Sequence, residues 1–77
     1  MINEHENVVL MENIPSAGLE AGDVGVVIHV YGNGEAFEVE FLTFEGETAS
    51  IQTLNSAQVR AANPRAIPHV REFALAA

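Results

Sequence analysis

The chain of 77 residues contains no cysteine and no lysine, and it has no long apolar run. Without cysteine, neither a disulfide nor a thiolate metal site can staple the fold. A chain of this length makes one domain that buries only about 60% of its unfolded surface, so one compact core or self-association must supply the stability. The apolar runs fall far short of the roughly 18 residues of a membrane span. The acidic start "MINEHE" lacks the basic and apolar regions of a secretory signal. A soluble, cytoplasmic protein is the expectation.

Cations are scarce and confined to one end. Arg60, Arg65 and Arg71 are the only ones, while every carboxylate except Glu72 precedes residue 48, and the formal net charge is -8. Nucleic-acid affinity rests on cationic groups that release counterions, so residues 1–59 repel phosphate chains and attract cations or basic proteins. The alternative is that the negative charge only keeps a small protein in solution.

The stretch "AGDVGVVIHVYGNGEAFEVEF", Ala21 to Phe41, is a hairpin pattern. Asn33-Gly34 suits a two-residue type I′ turn, because both positions need positive φ. That register sets Val30 opposite Phe37, Ile28 opposite Val39 and Val26 opposite Phe41 on an apolar face. His29 then meets Glu38, and Val27 meets Glu40, on the other face. The expected strands are Val24–Tyr31 and Ala36–Thr43, with Phe41 filling the core beside Val26 and Ile51.

The remaining elements are shorter. "ENVVLM", Glu6–Met11, is a strand, and "ENIPSAGLEAGDVG" is a loop of consecutive turns. After "FEGE", a three-residue loop with a bulge would pair Phe41 with Ile51 in the strand Thr48–Leu54. "NSAQ" reads as one helical turn capped by Asn55 or Ser56, before a last strand at Val59–Ala62. The fold class expected is all-β: a small five-stranded SH3-like barrel over residues 1–62, with a short helical or extended C-terminal tail over residues 63–77. An OB-like barrel ranks second, since it usually needs more chain.

From Asn7 to Arg60 the chain resembles the small bacterial and archaeal proteins of domain-of-unknown-function family 4926. The resemblance is carried by an IP–GL–GDxGxVVxVY segment, then VEF, then TL–xxQVR, through Gly18, Leu19, Gly22, Asp23, Gly25, Val39, Glu40, Phe41, Leu54, Val59 and Arg60. It implies an SH3-like fold, similar to the translation-associated KOW segment and to the C-terminal barrel of the nitrile hydratase β-subunit. It implies no assigned activity. Some family members are encoded beside toxin-like genes, which suggests an antitoxin-like role.

No catalytic motif or cofactor site is expected. His5, His29 and His69 lie in different segments without metal-ligand spacing, and no phosphate-cradling loop or Ser-His-Asp order is present. His29 with Glu38 has the composition of a general-base pair, but an ordinary cross-strand contact on a solvated face is the preferred reading. Glu38 and Glu40 follow the alternation of a polar strand face. Gly22-Asp23-Val24-Gly25 is a poor anion cradle beside Glu20, so a backbone role suits it better.

In the tail, "NPRAIPHVREFALAA", Asn63-Pro64 marks a turn. Pro68 suits the first position of a helix carrying Val70, Phe73, Ala74 and Ala77 on one face. So short a helix needs a surface, which is its own barrel, a second copy or a partner. The chain therefore reads as a noncatalytic acidic module that binds a basic protein. Its candidate contacts are His29, Tyr31, Glu38 and Glu40 on the hairpin and Val70, Arg71 and Phe73 on the tail, the latter also serving a homodimer. A KOW-like RNA-contacting barrel and a metalloenzyme accessory subunit are the alternatives.

Overall fold

The computed structural model describes residues 1–74. Five strands form where valine, isoleucine, threonine and the aromatics concentrate: β1 (Asn7–Leu10), β2 (Val24–Tyr31), β3 (Ala36–Leu42), β4 (Thr48–Asn55) and β5 (Val59–Ala61). They make one antiparallel sheet in the order β4-β3-β2-β1-β5. The fold is all-β. Among the described residues no ladder joins β4 to β5, so hydrogen bonding leaves the sheet open where a barrel was expected to close.

One face of the sheet holds the core. Val8 and Leu10 of β1, Val27 of β2, Phe37, Val39 and Phe41 of β3, Leu54 of β4 and Val59 of β5 are buried, joined by Leu19 from the β1–β2 loop. That loop is an ordered strap. Ile14 bridges to Leu19 around a single 3-10 turn, Pro15–Ala17, and Gly18 closes the turn at φ 71°, a left-handed conformation that glycine adopts at least cost. Gly25 has a different reason to be glycine. A Cβ there would stand 2.5 Å from Val39 Cγ1 and 3.1 Å from Phe41 Cδ1, so β3 packs directly over the β2 backbone.

The hairpin register holds only near its turn. Val30 faces Phe37 and His29 faces Glu38 as expected, but Ile28 is an extra, unpaired residue, and beyond it Val27 faces Val39 and Val26 faces Glu40. A bulge of this kind turns every following side chain to the other face. Val27 is consequently fully buried, whereas Ile28 is exposed, the reverse of simple alternation. The turn also differs. Gly32 and Gly34 carry the positive φ values, 61° and 94°, and Asn33 does not, so residues 32–35 form a four-residue loop closed by Glu35 N–H donating to the Tyr31 carbonyl.

A second bulge corrects the pairing of β3 with β4. Thr43 N–H donates to the Glu47 carbonyl across a three-residue loop with Gly46 at φ 83°, which is the odd-length loop expected. Ala49 is then left extra, so Phe41 faces Ser50 and Ile51 faces Glu40 on the outer side. After β4, Asn55 caps a single turn rather than a helix. Its Oδ1 accepts from the N–H groups of Ala57 and Gln58.

Beyond β5 the tail forms neither a strand nor a helix, and no α-helix occurs among the described residues. Asn63 does begin a turn, its Oδ1 accepting from Arg65 N–H. The helix expected from Pro68 does not form, and its last position, Ala77, lies outside the described residues. Arg71 and Phe73 both reach Gly18, a geometry that a helix, which turns residues two apart to different faces, would divide.

Candidate functional site

The outer face of β2, β3 and β4 collects four of the seven residues singled out in the sequence. His29, Glu38 and Thr53 stand in one cross-strand row, and Val26, Glu40 and Ile51 in the next. The His29 side chain does not pair with its register partner Glu38. His29 Nδ1 lies 3.5 Å from Glu4 Oε2, and its ring meets Tyr31 edge-on with centroids 4.6 Å apart. Glu38 instead accepts a hydrogen bond from Thr53 Oγ1, and Glu40 accepts one from Thr48 Oγ1, each at 2.5 Å. Both carboxylates thus lean over β4. Exposed Ile28 and Ile51 border them, with Leu42 further along β3.

Among the described residues neither Glu38 nor Glu40 forms an ion pair. Arg71 forms its ion pairs with Glu20 and Asp23, so among the described residues no arginine neutralises Glu38 or Glu40. Among these residues no cluster of three or more histidine or acidic side chains could hold a metal ion.

The tail residues assemble elsewhere. Arg71 grips Asp23 through two parallel bonds, Nε to Oδ1 at 2.8 Å and Nη2 to Oδ2 at 2.5 Å, and Nη2 also donates to the Gly18 carbonyl at 2.8 Å. Such a planar fork is what guanidinium geometry provides and an ammonium does not. Glu20 N–H donates to the same carboxylate at 2.8 Å. Burial pushes the Asp23 carboxyl upward, but the Arg71 hydrogen bonds, the Glu20 amide and the Arg71 charge outweigh it and hold the group below its usual range. Phe73 packs, half-buried, against the core, whereas Val70 remains exposed.

An open cleft of about 530 Å³ lies between the tail and the β3–β4 loop, bordered by Leu19, Phe41, Leu42, Phe44, Val70 and Phe73. Arg71 and Phe73 are thus engaged within the chain, and the hairpin group faces solvent. Sequence reasoning missed the part played by Asp23. Its signal was faint: one acid beside a glycine turn, whose partner stands 48 residues later.

No helix among the described residues is long and apolar enough to cross a membrane. No curated protein and no solved structure matches the chain. A family model does match, over residues 4–61, which takes in all five strands and stops where β5 ends, leaving the tail outside. The chain belongs to the family described as a domain of unknown function (DUF4926).

Proposed function

We propose that this protein is a noncatalytic, cytoplasmic module with an SH3-like architecture that binds a basic protein through the outer face of β2, β3 and β4. One observation carries the proposal: Glu38 and Glu40 stand on the outer sheet face without an ion-pair partner among the described residues, beside exposed Ile28 and Ile51. Interfaces of this kind combine apolar contact with charges that steer and orient the partner. The strand order and the single turn between β4 and β5 support the SH3-like architecture. The product of a neighbouring gene is the proposed partner, and an antitoxin-like action would follow if these carboxylates occupied the phosphate site of a basic nuclease.

Co-purification with the products of adjacent genes tests this function. The expected result is salt-sensitive capture of a basic protein that is lost when Glu38→Lys and Glu40→Lys are combined, with the fold intact. Single-stranded RNA should not bind even at low salt, because residues 1–59 offer it no cation. Saturable, salt-sensitive RNA binding would replace this proposal with a KOW-like one, and capture indifferent to both substitutions would overturn the outer face as the binding site.

A further inference from the structure

β4 is an outer strand of the sheet, and its free edge is unusually bare. From Thr48 to Asn55 it contains no charged residue and no proline, the devices that ordinarily keep a sheet edge from recruiting another strand. β5, at the other end of the order, has only three residues and carries Arg60. The bulge at Ala49 limits the β4 edge on one side, and the Asn55–Gln58 turn limits it on the other.

The backbone groups facing outward can be named. Asn55 N–H donates to Gln58 Oε1 and the Asn55 carbonyl accepts from Gln58 N–H, so neither group is turned toward β3. Alternation along an antiparallel strand gives Thr53 and Ile51 the same outward orientation. Outside the β3–β4 ladder, no backbone hydrogen bond among the described residues reaches either of them. Two N–H donors and two carbonyl acceptors therefore stand open on the stretch between the bulge and the turn.

Charge determines what fits there. An added strand would lie about 4.8 Å from β4. The Glu38 and Glu40 carboxylates, already drawn over β4 by Thr53 and Thr48, would lie within reach of its long side chains on the outer face. On the inner face it would meet a polar pair, Gln52 Nε2 donating to Ser50 Oγ. A second copy of this chain is poorly suited, because the pairing would set two molecules of net charge -8 side by side with no cation before Arg60. From the open backbone groups of Ile51 and Thr53 beside the Glu38 and Glu40 carboxylates, we infer that β4 takes up an extended basic segment of a partner protein as a sixth strand. The segment carries lysine or arginine at every second position. This inference rests on the basic-partner function proposed above and specifies how the partner is held.

The test leaves the protein unaltered and varies the ligand. The probe is a capped peptide of about nine residues alternating lysine and threonine, the length of an ordinary strand. It is compared with a glycine-spaced peptide of equal charge and with two N-methylated forms, each blocking alternate amides. Strand addition predicts that the probe binds and slows amide exchange at Ile51 and Thr53 by about tenfold or more, with Gln52 and Leu54 little changed. One methylated form should lose about tenfold or more in affinity and the other should bind normally, because only alternate amides face β4.

Equal losses for both forms, equal binding of the glycine-spaced peptide, or binding without protection at Ile51 and Thr53 would overturn strand addition while leaving the basic-partner function standing. Capture of a basic neighbour with no binding of the probe would do the same. Protection of these amides by self-association, or by a single-stranded RNA, would assign the edge to a different occupant and overturn the inference. Failure of the basic-partner function itself has a separate signature: neither the peptides nor any basic neighbour binds.

Discussion

Asp23 and Arg71 show how much one pair can organise in a small domain. The carboxylate also fixes the Glu20 amide, and the guanidinium also caps the Gly18 carbonyl, so the pair closes the β1–β2 loop and anchors the tail together. Both side chains are largely covered, Asp23 at 17% and Arg71 at 28% exposure, which sets the contact apart from a solvated surface pair. Because the Asp23 pKa is lowered in the folded state, its contribution is fully present above the ordinary carboxylate pKa of about 4 and is lost as the pH falls through the folded value. Asp23→Asn should cost roughly 1–2 kcal/mol near neutral pH and flatten the decline of stability on the acid side. Urea unfolding across the acid range measures both. An unchanged acid limb in the variant would show that other carboxylates govern acid unfolding.

Among the elements, the two bulges decide what faces the core. Valine is fully buried at 27 and isoleucine is exposed at 28, so Val27→Ala should cost roughly 2 kcal/mol, while Ile28→Ala should stay within about 0.5 kcal/mol. Simple alternation from the turn predicts the opposite order, and a pair of denaturation curves separates the two. This is also where legibility ended. Strand positions, antiparallel pairing and the register partners of Val30 and His29 could be read from turn residues and alternation, because both are local. An extra residue beside an unbroken apolar run such as Val26–Ile28 leaves no mark in the pattern, since valine or isoleucine stands at each of these positions in either register. Ile51 was misplaced by the second bulge. Burial argued for pairing it with Phe41, yet the bulge at Ala49 gave that place to Ser50, and Gln52 and Ser50 satisfy each other on the inner side. Of the candidate site, the acidic face was legible because it needs only alternation. That a tail arginine would rest on a carboxylate of the strands was legible from charge, but the partner Asp23 was not, because an i, i+3 pattern over Val70 and Phe73 suggested a helix where the tail forms none.

At the scale of the whole molecule, a tail beyond the family's matched region completes the core of that region. Removing residues 63–77 should therefore lower stability by roughly 2–4 kcal/mol, the sum of partial Phe73 burial and the Arg71 contacts. Calorimetry or urea unfolding checks this, and a loss under about 0.5 kcal/mol would mean that the strands are self-sufficient. The bond from Arg71 to Asp23 spans 48 residues, whereas the hairpins close over short loops. Contacts of such separation are costly to close and should form after the sheet has nucleated. A deletion there should consequently accelerate unfolding and leave refolding nearly unchanged: in stopped-flow experiments, Arg71→Ala should steepen escape from the native state by about tenfold for each 1.4 kcal/mol lost. The tail thus governs the lifetime of the native state, and the strands govern the speed of reaching it.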